Sequence, residues 1–368
     1  MGSFFAELKR RHVYKVGAIY LVTAWVLIQV IVTIKGPLGL PGWADTFVII
    51  LLSIGFPVAL ILAWAFDIPR KDSTLKETDV AAQPGSLSTK NPHGEIRFCT
   101  TADGIRLAYS VNGTGHPVVR TGNWLSHLEL EWSNPIFHPL LRDLSAKYRL
   151  ITYDGRGTGL SDREVQDFSL DTMVEDMEAV VDAIDLEKFS VVAYSQSCMV
   201  SVAYAVKHPE RVANMVFFGG FARNFRTPEE VEAIATLFAQ SWGQANPATR
   251  QIFTAAVLPD ATMEEFEAFN ELQRRSASPA NASRLFKTIH GFDVRELAKK
   301  ITVPTLVMHS RDEPGVPIEY GRELASLIPG ARFISLDSRN HMLLEREPAY
   351  KRFLDETFTF INHNQVVS

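Results

Sequence analysis

Two kinds of hydrophobic patterning divide this chain. Residues 13–34 and 44–66 are apolar runs, each about the twenty residues a helix needs to cross a bilayer. The segment joining them, Lys35-Gly36-Pro37-Leu38-Gly39-Leu40-Pro41-Gly42-Trp43, is short and turn-rich, so the pair predicts a transmembrane helical hairpin. Lys15 falls in the first turn of the first run, where a long side chain can snorkel, and Asp45 sits at the start of the second. After about residue 93 the pattern changes to alternating strand and helix signals, which predict a mostly parallel sheet with helices on both faces. Leu170, Met173, Val174, Met177, Val180, Val181 and Ile184 recur at helical spacing and predict a helix with one buried stripe. From residue 222 to about 300 the pattern is helical and amphipathic, with Phe238, Trp242, Phe253, Phe266, Phe269 and Phe286 spread through it. Residues 71–92 are polar and rich in Ser, Thr, Lys and Asp, the composition of a flexible tether. The expected organisation is a hairpin over 1–70, a linker over 71–92 and a globular domain over 93–368.

Charge gives the hairpin an orientation. Lys9, Arg10 and Arg11 precede it, Arg70 and Lys71 follow it, and its loop holds Lys35 alone. The positive-inside rule then puts both ends, and the globular domain, in the cytoplasm. A signal peptide is not expected, because the first apolar run is too long and no cleavage site follows; Ala6 stands where N-myristoylation wants Ser or Thr. The net charge of −5 offers no basic face for nucleic acid. Two cysteines, Cys99 and Cys198, suit neither a zinc cluster nor a disulfide framework, and no metal or cofactor is expected. Gly155-Arg156-Gly157 follows a strand-like segment but lacks the rest of a dinucleotide loop, so it reads as a tight turn positioning Asp154 and Arg156.

The chemistry-bearing segment is Val191-Val192-Ala193-Tyr194-Ser195-Gln196-Ser197, an apolar strand end running into a small-x-Ser-x-small turn, with a helical pattern from Cys198 onward. Such a turn lifts a serine Oγ above the sheet edge, and small residues on either side leave room for a strained backbone. Glycine usually fills both flanking places; here they are Ala193 and Ser197. A serine hydroxyl is a weak nucleophile and needs a base within reach, itself oriented by an acid. Downstream, residues 304–308 read as a buried strand leading to His309-Ser310-Arg311-Asp312-Glu313-Pro314, and residues 331–336 read as a last strand leading to Asp337-Ser338-Arg339-Asn340-His341. The order serine, acid, histidine makes His341 the candidate base, with His309 read as structural.

On these segments, together with the turn Asp154-Gly155-Arg156-Gly157-Thr158-Gly159-Leu160-Ser161 and Lys207-His208-Pro209-Glu210-Arg211-Val212, residues 95–362 resemble the α/β-hydrolase superfamily, nearest its Ser-nucleophile esterase, lactonase and perhydrolase-like branch. The resemblance implies an α/β-hydrolase fold with a helical cap at about 222–300, and a Ser195, Glu313, His341 triad. The family register selects Glu313, where relatives mostly carry Asp, and Asp312 stays open as the alternative acid. Oxyanion donors would be the backbone N–H groups of Gln196 and, in the Gly122-Asn123 loop, of Trp124, while Asn123 and His127 are candidates for touching substrate. The implied activity is hydrolysis of a small-molecule carboxylic ester or lactone through an acyl-enzyme. Alternatives with the same residues are C–C bond hydrolysis or perhydrolysis, a ligand-sensing signalling module, and an inactive hydrolase serving as an interaction domain. The hairpin, with Phe4-Phe5-Ala6-Glu7-Leu8-Lys9-Arg10-Arg11 before it, resembles an N-terminal membrane module of bacterial signalling and repeat proteins, which implies a multi-pass protein of the bacterial inner membrane with the lipid bilayer as a partner.

Overall fold

The computed structural model describes residues 94–244 and 246–365, together with residues 24, 43, 46–48, 50–53 and 55–57. The chain divides into two compact units, 1–86 and 87–368. In the first, the described residues from 46 to 57 are helical and the Trp43 ring meets Phe47 edge-on at 5.9 Å. Among the described residues no helix is long and apolar enough to cross a membrane. Most of the expected hairpin, and all of the expected linker over 71–92, lie outside the described residues.

The described residues of the second unit form eight strands: β1 (Ile96–Thr100), β2 (Arg106–Asn112), β3 (Pro117–Arg120), β4 (Arg149–Tyr153), β5 (Phe189–Tyr194), β6 (Val212–Phe218), β7 (Thr305–Ser310) and β8 (Arg332–Leu336). They form one sheet in the order β1-β2-β4-β3-β5-β6-β7-β8. The pairs β1-β2 and β2-β4 are antiparallel, and every later pair is parallel. Every residue of β5, β6 and β7 is buried, as parallel strands covered on both faces must be. Side-chain alternation sends Val191, Ala193, Met215 and Phe217 into the core on one face, and Val192, Tyr194, Val216 and Phe218 into the core on the other.

Among the described residues eleven helices accompany this sheet: α1 (Leu128–Ser133), α2 (His138–Lys147), α3 (Leu170–Asp182), α4 (Ser197–Lys207), α5 (Pro228–Ser241), α6 (Ala248–Val257), α7 (Met263–Ser276), α8 (Pro279–Ile289), α9 (Arg295–Ala298), α10 (Ile318–Leu327) and α11 (Pro348–Gln365). The helical stripe expected around Met177 buries Met177, Val180 and Val181 of α3 against one sheet face, with Ser169 accepting from Thr172 N at its start. On the other face α2 contributes Leu140, Leu141 and Leu144, and α11 contributes Phe353, Phe360 and Ile361. Helices α5 to α8 fill the interval between β6 and β7 where the cap is expected. Their starts are set by sequence: Thr227 with Glu230, and Thr262 with Glu265, form reciprocal capping boxes.

Candidate active site

Ser195 follows β5 and precedes α4 with φ +54. The left-handed region costs a residue with a Cβ about 1–2 kcal/mol, so the elbow persists only because its surroundings hold it. Ser195 N donates to Phe218 O at 2.9 Å, which continues the β5-β6 ladder through the turn. Ser197 does more than keep the turn small. Its Oγ donates to Tyr194 O at 2.7 Å and accepts from Tyr194 N at 2.9 Å, lacing the start of α4 back to the end of β5. Ala193 is fully buried between the layers, so a small side chain suffices at the other flanking place.

His341 lies in the loop after β8. Its backbone N donates to Val257 O of α6 at 2.8 Å, and the preceding Asn340 is fully buried. Asn340 O accepts from Ser310 Oγ at 2.7 Å, and its Nδ2 donates to Glu347 at 2.7 Å. Room for the ring comes from Gly219, just past β6. Its φ is +60, and a Cβ there would stand 2.8 Å from His341 Cε1.

Beneath His341, Nδ1 donates to Glu313 Oε2 at 2.5 Å. Glu313 is buried, whereas Asp312 is exposed, with its backbone N donating to Ser338 O; the side chain that reaches the histidine is therefore Glu313. Its other oxygen, Oε1, lies 2.5 Å from His309 Nε2. That N–H is aimed at Val316 O, 2.9 Å away, so the His309 contact is electrostatic packing and not a second aligned hydrogen bond. Burial by itself would raise the carboxyl pKa, but the two imidazoles outweigh it and hold Glu313 below the ordinary glutamate value.

Trp124 and Gln196 both line the pocket that holds Ser195 and His341. No acceptor among the described residues takes the backbone N–H of either, and Gln196 is the residue at the N-terminus of α4, where the helix dipole favours negative charge. Leu125, next to Trp124, has φ +49. Two of the three non-glycine residues with positive φ among the described residues thus flank the pocket, where strained backbone concentrates. The Trp124 ring meets Phe238, Trp242, Phe253 and Phe286 at centroid distances of 5.9 to 6.1 Å, so the same residue anchors the cap. Asn123 also lines the pocket, and its buried Oδ1 has no hydrogen-bond partner. His127 does not line it. It is buried at the start of α1, its carbonyl accepting from Glu131 N at 3.0 Å, so the expectation that it borders the substrate path does not match its position.

Asp154 and Arg156 serve the scaffold. Asp154 accepts from Leu128 N at 3.1 Å and Leu160 N at 2.8 Å, tying the segment after the Trp124 loop to the turn after β4. Arg156 is clamped by Asp176 and Asp103.

The pocket encloses roughly 830 Å³, counting solvent at its mouth, and its wall is mainly aromatic and aliphatic, including Phe137, Phe225, Phe269 and Ile289. The strand ends deliver Ser195, the His341 loop and the Trp124 loop to this one cavity.

Residues 125–348 match the family model of the alpha/beta hydrolase fold. RutD of Azorhizobium caulinodans, which bears the name of a carbamate hydrolase, is similar at 28% identity over 242 residues, covering 64% of this chain and 88% of its own length. The non-heme chloroperoxidase CPO-A1 of Kitasatospora aureofaciens is 25% identical over 282 residues, covering 72% of this chain and 99% of its own length. Among solved structures, the esterase RhEst1 from Rhodococcus sp. ECU1013 superposes with a TM-score of 0.61 at 25% identity, covering 73% of this chain and 98% of that one. The family match spans more than half of the sequence and includes Ser195, Glu313 and His341, so the chain belongs to the alpha/beta hydrolase fold family and is a serine-hydrolase-like enzyme.

Proposed function

We propose that this protein cleaves a carboxylic ester or lactone through a covalent acyl-enzyme on Ser195. The observation that carries the reading is the left-handed Ser195 opening onto an apolar pocket that it shares with His341, whose far nitrogen is held by buried Glu313. Because Nδ1–H donates a hydrogen bond to the Glu313 carboxylate, the proton stays on Nδ1 and Nε2 keeps a lone pair for the serine proton. In the reaction Ser195 Oγ attacks the carbonyl carbon and His341 Nε2 accepts its proton. The N–H groups of Gln196 and Trp124 stabilise the oxyanion, and His341 returns the proton to the departing alkoxide. Water activated by the same ring then attacks the acyl-enzyme and frees Ser195. In this reading the N-terminal hairpin anchors the enzyme in the bacterial inner membrane with the hydrolase domain on the cytoplasmic side, supported by the two apolar runs and their basic flanks.

The test is hydrolysis of p-nitrophenyl esters of increasing acyl length by the full-length chain in detergent, beside Ser195→Ala. Turnover that disappears in the variant, with fluorophosphonate labelling of the wild type alone, supports the serine-ester reading. A folded wild type that neither turns over nor takes the label moves the ligand-sensing reading to the front.

A further inference from the structure

Among the described residues lining the pocket, Arg226 is the one with a permanent charge. It lies in the segment between β6 and α5, where Asn224 fixes its backbone: Asn224 Nδ2 donates to Arg226 O at 2.7 Å, and Arg226 N donates to Asn224 Oδ1 at 2.8 Å. The guanidinium sits 5.0 Å from the centroid of the Phe225 ring, itself part of the pocket wall. Its Nε is sealed from solvent without an acceptor, and no carboxylate among the described residues pairs with it. Two buried arginines of the scaffold do have carboxylate partners, Arg156 two aspartates and Arg120 Glu131. Beside Arg226 on the wall, His290 gives its Nδ1–H to Phe286 O at 2.8 Å, which makes its Nε2 an acceptor and leaves the guanidinium as the donor for an anion here.

Arg226 is half-buried beside the Phe225 ring, and its terminal N–H groups are the donors an incoming acceptor can reach. A carboxylate is the group whose two oxygens fit that planar fork. Glu313 faces His341 and His309, and the Glu230 carboxylate, which attracts Arg226 without forming a salt bridge to it, accepts from Thr227 N in the capping box. The acyl portion of an ester stays attached to the serine through both halves of the reaction, so an anchor on that portion orients acylation and deacylation alike.

We propose that Arg226 binds a free carboxylate on the acyl portion of the substrate, which makes the substrate class a hemiester of a dicarboxylic acid. This rests on the serine-ester reading above and narrows it. The test compares p-nitrophenyl hemiesters of succinic, glutaric and adipic acid with unsubstituted p-nitrophenyl esters of the same chain lengths, using the full-length chain with active sites counted by fluorophosphonate labelling. For at least one length, kcat/KM for the hemiester should exceed that of its neutral counterpart by about tenfold or more. Arg226→Gln should bring that ratio to about one, and Arg226→Lys should keep part of it. Glutarate should also inhibit neutral-ester hydrolysis by the wild type more strongly than pentanoate, a readout that needs no variant to fold. A wild-type ratio at or below one for every length, or a ratio unmoved by Arg226→Gln, overturns the carboxylate anchor while leaving the serine-ester reading intact. No turnover of either ester series overturns both.

Discussion

Glu313 Oε2 lies 2.5 Å from His341 Nδ1, and both side chains are buried where β7 and β8 hand over to their loops. A carboxylate in that place fixes the ring's tautomer. Glu313→Gln offers an amide that can turn its NH₂ toward Nδ1 and favour the opposite tautomer, so kcat/KM should fall about a thousandfold to ten-thousandfold. Glu313→Asp withdraws the carboxylate by one methylene while keeping its charge, so its loss should be smaller. Steady-state kinetics on the best nitrophenyl ester decide the matter. An unimpaired Gln variant would remove Glu313 from the triad.

Ser195 holds φ +54 without glycine's freedom, so the proposed nucleophile sits on strained backbone. Ser195→Gly and Ser195→Ala both abolish the nucleophile, but glycine alone also relieves the strain. The Gly variant should be more stable than the Ala variant by roughly 1 kcal/mol, less the extra entropy glycine gives the unfolded chain. Urea unfolding of the two variants side by side measures the difference, and equal midpoints would place the strain elsewhere.

The turn at Ser195 and the loops that carry Glu313 and His341 were legible in the sequence because an elbow and two strand-end loops are local patterns. The parallel sheet was legible for the same reason: β5, β6 and β7 are short, continuous apolar runs. What escaped notice depends on packing between distant segments. His309 reads as an ordinary strand end until the fold sets it 2.5 Å from Glu313 Oε1. Gly321 shows its purpose only across the α10-β7 contact, where a Cβ would come within 2.3 Å of His309 Nδ1. Ser197 reads as merely small, although its hydroxyl serves both backbone groups of Tyr194. Arg226 carries no motif at all, and its isolation appears only once the cap and the β6 end form one wall. His127 shows the converse, since nearness in sequence to the Trp124 loop did not bring it to the pocket.

Gly219 controls where the His341 ring can stand. A methyl group there meets His341 Cε1 at 2.8 Å and Nδ1 at 3.0 Å, on backbone whose φ of +60 already disfavours a side chain. Gly219→Ala should therefore displace the imidazole and lower kcat by about a hundredfold. It should also destabilise the fold by about 1 kcal/mol or more through the left-handed backbone. Fluorophosphonate labelling gives a second readout, because Ser195 needs the same base to react with the probe. A variant that labels at the wild-type rate would show that the ring has room to spare.

His127 makes the fold sensitive to acid. Burial, with repulsion from Arg275 and Arg163 added, pushes its imidazole down from its ordinary 6.5 to about 4. Between those values the unfolded chain binds a proton that the folded chain refuses, so stability rises with pH across the interval. The contribution is present in full above about pH 6.5 and is lost as the pH falls through about 4. His290, also pushed down to about 4 by burial, adds to the same limb. His127→Gln should thus narrow the gap between urea midpoints measured at about pH 7 and about pH 5, and the double variant with His290→Gln should narrow it further. A wild-type gap that survives intact in the single variant would mean that His127 takes up its proton in the native fold.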